Sequence, residues 1–211
     1  MSRSLKIPTN YVPDLRQLND IVIGVCNLKD REAVLIGCAV IDAMIELSIV
    51  DRISLTAEGR KEIFGTVGPL GSARSKLIFA SGIGLISPLS KKALIAIQEV
   101  RNHFAHALVA LDLNSGELVP FFADINANEL YKEMEQDSGA SEVDLTDTNY
   151  ENQIIAVDDN GLVGAHVPEP RKNPDQRELF YDAFWVLWMR LFVNAGKHIG
   201  LPEVTPQASG T

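Results

Sequence analysis

Apolar positions along this chain recur mostly at helical spacing, and the polar residues that interrupt them mark helix starts and stops. Residues 1–12 read as a polar arm, after which Pro13 and Asp14 open a first helix towards Cys26. A second helix spans residues 30–53, with Asp30 as its N-cap and Arg31 and Glu32 in the first turn. Its stretch AVLIGCAVIDAMIELSIV carries only Asp42, Glu46 and Ser48 as polar interruptions. A bilayer would penalise the two carboxylates, so this run reads as a buried helix and not as a membrane span. A third, short helix covers residues 56–64, capped by Thr56 and stopped by Gly65. The turn GTVGPLGSARSK follows, and within it Ser72 caps a fourth helix over residues 73–83, which Gly84 ends. Pro88 opens a fifth helix that runs to residue 111.

Past residue 111 the pattern changes. ELYKEMEQDSGASEVDLTDTNYEN is acidic and rich in Ser, Thr and Asn, and reads as a solvated helix end followed by a long loop. Two short apolar runs around Asp159, Asn160 and Gly161 then give a hairpin signal. Residues 175–200 form a last, strongly apolar helix whose Phe180, Phe184, Trp185, Trp188, Leu191 and Phe192 point around most of its circumference. Such a helix is either central to the core or half in an interface. The expected fold class is mostly α: a compact multi-helix bundle, one helical domain over residues 1–211, with an acidic loop and small β-hairpin in a C-terminal insertion at residues 112–174. There is no internal repeat.

Composition narrows the setting. A hydrophobic share of 46% against 22% charged residues is that of a soluble globular chain, and excludes disorder throughout. With 28 acidic and 19 basic residues the formal charge is −9, so the overall field repels phosphate backbones and a nucleic acid would need a local basic patch. Cys26 and Cys38 lie in apolar helical sequence and suit reduced, buried thiols, and the N-terminus has no apolar core of signal-peptide length. Both point to the cytoplasm, with no membrane partner.

The candidate chemistry gathers in EVRNHFAHAL, residues 99–108. On a helical wheel Leu94, Ile97, Val100, Phe104, Leu108 and Leu111 form one stripe with Arg101 at its edge, while Glu99, Asn102 and His106 lie opposite. Arg101 and His106 stand about 140° apart on a straight helix, so they share a site only through a distortion, a second helix or a second subunit. Asp42 and Glu46 are i,i+4 neighbours on an apolar helix and require a cationic partner. Arg101 is the first choice, with His106 and Arg74 as alternatives.

Other chemistries find little footing. His103, His106 and Glu99 lack a third histidine or cysteine at fixed spacing, so no metal is expected, and His166 and His198 read as surface or capping residues. The turn before Ala73 has no lysine at P-loop spacing, no Ser–His–Asp order is visible, and no cofactor is called for. The best candidate DNA-reading turn, residues 84–92, offers only Lys91 and Lys92 before its helix turns apolar.

GPLGSARSKLIFASGIGLIS, followed eleven residues later by EVRNHFAHAL, resembles the mannitol operon repressor (MltR-type) family. The likeness runs from Gly68 to Leu108 and back through the helix with Asp42 and Glu46, about 80 residues in all. Its signature positions here are Gly68, Pro69, Leu70, Gly71, Arg101, Asn102, Phe104 and His106. The resemblance implies an all-helical, intracellular, dimeric bacterial protein that regulates transcription of sugar-alcohol uptake genes. Given the −9 charge and the missing recognition helix, action through a protein partner is expected ahead of direct DNA contact. A looser similarity, arginine, a polar neighbour and then histidine five residues after the arginine, links the chain to HEPN-type helical ribonucleases. That alternative implies His106 as general acid or base, Arg101 as the group stabilising phosphorane charge, and Asn102 beside them.

Overall fold

The computed structural model describes residues 21–22, 24–25, 27–53, 55–108, 111–138, 155–158, 161–165 and 171–198. The fold is mostly α, carried by α1 (Asp30–Ile53), α2 (Ala57–Phe64), α3 (Ala73–Gly82), α4 (Pro88–His106), α5 (Val119–Phe122), α6 (Ala127–Ser138) and α7 (Gln176–His198). Strands β1 (Ile155–Asp158) and β2 (Gly161–Ala165) pair antiparallel, with a register irregularity between Ala156 and Val157. The arm with Pro13 and Asp14, Cys26, residues 139–154, Asp159, Asn160 and His166 lie outside the described residues, as do the side chains of Phe192 and His198.

Helix α1 packs against α7, α4 and α3, while α6 packs on α7 and α5 on α4 and α7. Val34, Ile41, Met44, Ile45 and Ile49 are buried along α1 at steps of three, four and seven residues, the spacing that keeps side chains on one helix face. By length and composition alone α1 could cross a membrane, and half of its most apolar window is buried inside this fold. Its companion α7 is buried without interruption from Asp182 to Met189, so Phe180, Phe184, Trp185 and Trp188 of the aromatic set read from sequence lie in the core. Phe180 stacks on Phe184 with centroids 6.2 Å apart, and Trp185 meets Phe184 edge-on at 5.9 Å.

Polar ties set the ends of these helices. Asp30 is the first residue of α1 and serves a more distant function than the cap expected of it. Its Oδ2 accepts the Leu113 amide at 2.8 Å and its Oδ1 lies 3.2 Å from Arg177 Nη2, which joins three segments remote in sequence. That tie explains why α4 stops at His106, with Ala107 as C-cap, and does not reach residue 111. The chain must turn there so that Leu113, Leu118 and Phe122 enter the core, and Leu108 is left fully in solvent at 101% exposure. Residues 112–138 are thus less of a solvated insertion than their acidity suggests. Ile125, Leu130 and Tyr131 are buried too, since α6 packs against α7.

At its other end α4 is capped by Ser87, whose Oγ accepts the Ser90 amide at 3.0 Å and donates to Glu133 Oε2 of α6 at 2.8 Å. Arg190 of α7 reaches the same place, bonded to Ser90 Oγ at 2.6 Å and paired with Glu133. Three helices therefore meet around one hydroxyl. Ser87→Ala removes a cap and a hydrogen bond to a carboxylate, and is expected to lower unfolding free energy by about 1–2 kcal/mol in urea denaturation. A loss of only a few tenths would mean that Glu133 and Arg190 hold this junction alone.

Candidate functional site

The signature turn between α2 and α3 is built by crowding of the backbone. The Leu70 amide bonds to Ile63 O at 2.9 Å, which folds the chain back over the end of α2 and buries the Leu70 side chain. A Cβ on Gly68 would stand 2.2 Å from Glu62 O, and one on Gly71 would stand 2.4 Å from Gly65 O, closer than any side chain tolerates. Gly68, Leu70 and Gly71 are therefore required by the turn itself. From there Ser72 and Ser75 form a reciprocal capping box that starts α3 in a fixed direction.

That direction decides the partner of the α1 carboxylates. Lys76, on the first turn of α3, places Nζ 2.8 Å from Asp42 Oδ2 and 3.0 Å from Glu46 Oε2. Arg60 of α2 completes the set, with Nη2 3.0 Å and Nε 3.3 Å from Glu46 Oε1. Lys76 is 6% exposed and its Nζ sits 5.9 Å from the centroid of the Phe64 ring. Burial pulls its pKa down, but hydrogen bonds and charge from Asp42 and Glu46 outweigh this and hold it above the usual lysine value. The second oxygen of Asp42, Oδ1, is buried without a hydrogen-bond partner among the described residues.

The expected pairing of Arg101 with Asp42 or Glu46 is thus replaced by Lys76 and Arg60. Arg101 is exposed, and the hydrogen bond it makes goes to Oδ1 of neighbouring Asn102 at 3.2 Å. Neither His106 nor Arg74 takes its place: His106 is exposed, and Arg74 lies 3.6 Å from Glu99 across the half-exposed rim of α4. The reason is geometric. Beside Arg101 the helices α1, α3 and α4 diverge and leave a cleft of about 470 Å³.

Ile41, Ile45, Leu94 and Ile97 floor this cleft, and Asp42, Arg74, Gln98, Glu99, Arg101 and Asn102 ring it. Cys38 also lines it, its thiol 3.9 Å from Ile97 O. Burial pushes that thiol up to about 12, against the opposing pull of Arg101, so it stays protonated and unreactive at neutral pH.

Arg101 and Asn102 therefore share a site that His106 does not line. His106 ends α4 on the solvent side, and His103 rests against Phe121 with ring centroids 4.7 Å apart. Phe104 and Val100 of this stretch are fully buried, both at 0% exposure. A second cleft, of about 570 Å³, opens beside the Asp30 tie, between Lys29, Arg31, Phe104, Leu111 and Arg177. Among the described residues no three His, Cys, Asp or Glu side chains converge on a point suited to a metal ion. Comparison with protein-family models, with curated proteins and with solved structures finds no match.

Proposed function

We propose that this chain is a transcriptional regulator of the mannitol operon repressor type, a cytoplasmic dimer that represses sugar-alcohol uptake genes through a protein partner. The proposal takes the whole chain as one helical domain, with the hairpin as part of its insertion. The observation that carries it is the exposure of the end of α4: Arg101, Asn102, His106 and Leu108 all reach solvent. Apart from the Arg101–Asn102 hydrogen bond their side chains make no polar contact within the described residues. A polar face with a fully exposed leucine at its edge suits contact with another macromolecule.

Action through a protein and not directly on DNA is supported by the setting of α4. Ser90, Ala93, Leu94 and Ile97 of its N-terminal half are buried, Lys92 is paired with Asp124 at 2.9 Å, and Glu133 and Arg190 strap its start. The start of a helix held in this way, with Lys92 already paired, is poorly placed to enter a major groove. The ribonuclease alternative draws less support, since Arg101 and His106 do not line one cleft and would need a second subunit to meet.

The test is a reporter fused to the promoter of sugar-alcohol transport genes in the native host, comparing wild type with the Asn102→Ala/His106→Ala double variant. Repression should be lost while the purified variant melts with the wild type. Full repression by the variant would overturn the reading. Salt-sensitive retardation of an operator fragment by the purified protein alone would overturn the role given to a partner.

A further inference from the structure

We propose that the cleft between α1, α3 and α4 binds a small hydroxylated organic anion, its charged head held by Arg101. This rests on the regulatory reading above, for which it supplies the class of effector. At about 470 Å³ the cleft has the size of a small-molecule site, with an apolar floor and a few polar groups converging on it.

The charges around it select the sign of the ligand. Both carboxylates that line the cleft are ion-paired, Asp42 through Oδ2 with Lys76 at 2.8 Å and Glu99 with Arg74 at 3.6 Å, while Asp42 Oδ1 keeps an acceptor position open to a ligand hydroxyl. Arg101 has no carboxylate within ion-pair distance among the described residues, and its only hydrogen bond, to Asn102, is to a neutral amide. Counting the ion pairs behind the rim, four cations (Arg60, Arg74, Lys76 and Arg101) face three carboxylates (Asp42, Glu46 and Glu99). On a chain of formal charge −9 this is a local reversal of sign. A guanidinium with open donors beside a low-dielectric floor is the group that grips a carboxylate or phosphate through paired N–H bonds.

The neutral groups give the rest of the ligand its character. Gln98 and Asn102 each offer an amide donor and acceptor to hydroxyls, and the protonated Cys38 thiol adds no charge to the floor. A bare inorganic ion would leave the amides unused. The head group, carboxylate or phosphate ester, is decided by experiment.

Isothermal calorimetry on the purified full chain, with gluconate and glycerophosphate as probes and glucose and glycerol as neutral controls, tests the site. At least one anion should bind and the neutral controls should not. Gluconate alone assigns a carboxylate ligand, glycerophosphate alone assigns a phosphate ester, and both together assign the anion-and-hydroxyl chemistry they share. Arg101→Gln should weaken the binding about ten-fold or more, the loss of a charge-assisted hydrogen bond, and leave the melting point of the free protein unchanged. Absence of heat with both anions, equal binding of glucose, or wild-type affinity in Arg101→Gln would overturn the proposal. Because calorimetry involves neither promoter nor partner, the outcomes separate. A chain that binds gluconate but fails the reporter assay loses its regulatory reading and keeps its site.

Discussion

Lys76→Met should lower the unfolding free energy by about 3 kcal/mol in urea denaturation, a larger loss than any exposed charge on this molecule would cause. The ammonium lies within 3.0 Å of both α1 carboxylates and is nearly cut off from water. Its removal leaves Asp42 without an ion-pair partner, while Glu46 keeps Arg60. The estimate sits at the low end for a broken buried pair because the Asp42 side chain is about one-third exposed, at 32%, so solvent screens part of the orphaned charge. Lys76→Met combined with Asp42→Asn should recover part of the loss, and a double-mutant cycle would isolate the coupling. The pH dependence has a definite sign. Since the folded-state pKa of Lys76 is raised, its contribution is complete at neutral pH and is lost as pH climbs through that raised value, above the usual lysine titration. Wild type should therefore show an alkaline loss of stability that the methionine variant lacks, and parallel profiles for the two proteins would contradict the pairing.

Phe104→Ala should cost about 3–5 kcal/mol, the range for emptying a fully buried aromatic site. Its neighbours behave differently: Arg101→Ala and His106→Ala should each stay within about 0.5 kcal/mol, as exposed residues with little or nothing to hold do. The same urea titrations check all three. If Arg101→Ala proved as damaging as Phe104→Ala, Arg101 would have to hold a structural contact that this fold does not give it.

The helices were legible in the sequence because their caps are chemical signals. Thr56 and Ser72 each accept an amide of the first turn, Pro88 stands in the first turn of α4, and the apolar stripe of α4 lies inward at Leu94, Ile97, Val100 and Phe104. The need of Asp42 and Glu46 for a cation was legible too, but not its identity. Arg101 looked suitable because it borders the α4 stripe, yet a wheel of one helix does not show where two others diverge. A wheel of α3 carries the missing signal. Lys76 is the i,i+4 neighbour of Ala80, a buried position of α3, whereas Arg74 stands about 120° from Ala80. The burial of Leu130 and Tyr131 was hidden for another reason: the acidic average composition of α6 masked its apolar positions.

The packing of α7 on α1 also bears on how the chain is made. More than a hundred residues lie between Ile53 and Gln176, so at about 5–20 residues per second the ribosome releases α1 roughly 6–25 s before α7 begins to appear. Throughout that interval the longest apolar helix of the molecule has no cover from the helix that will shield it most. The native packing of α1 thus waits for the emergence of α7, a long-range contact that makes this step of folding late and leaves residues 30–53 the segment most open to non-native association meanwhile.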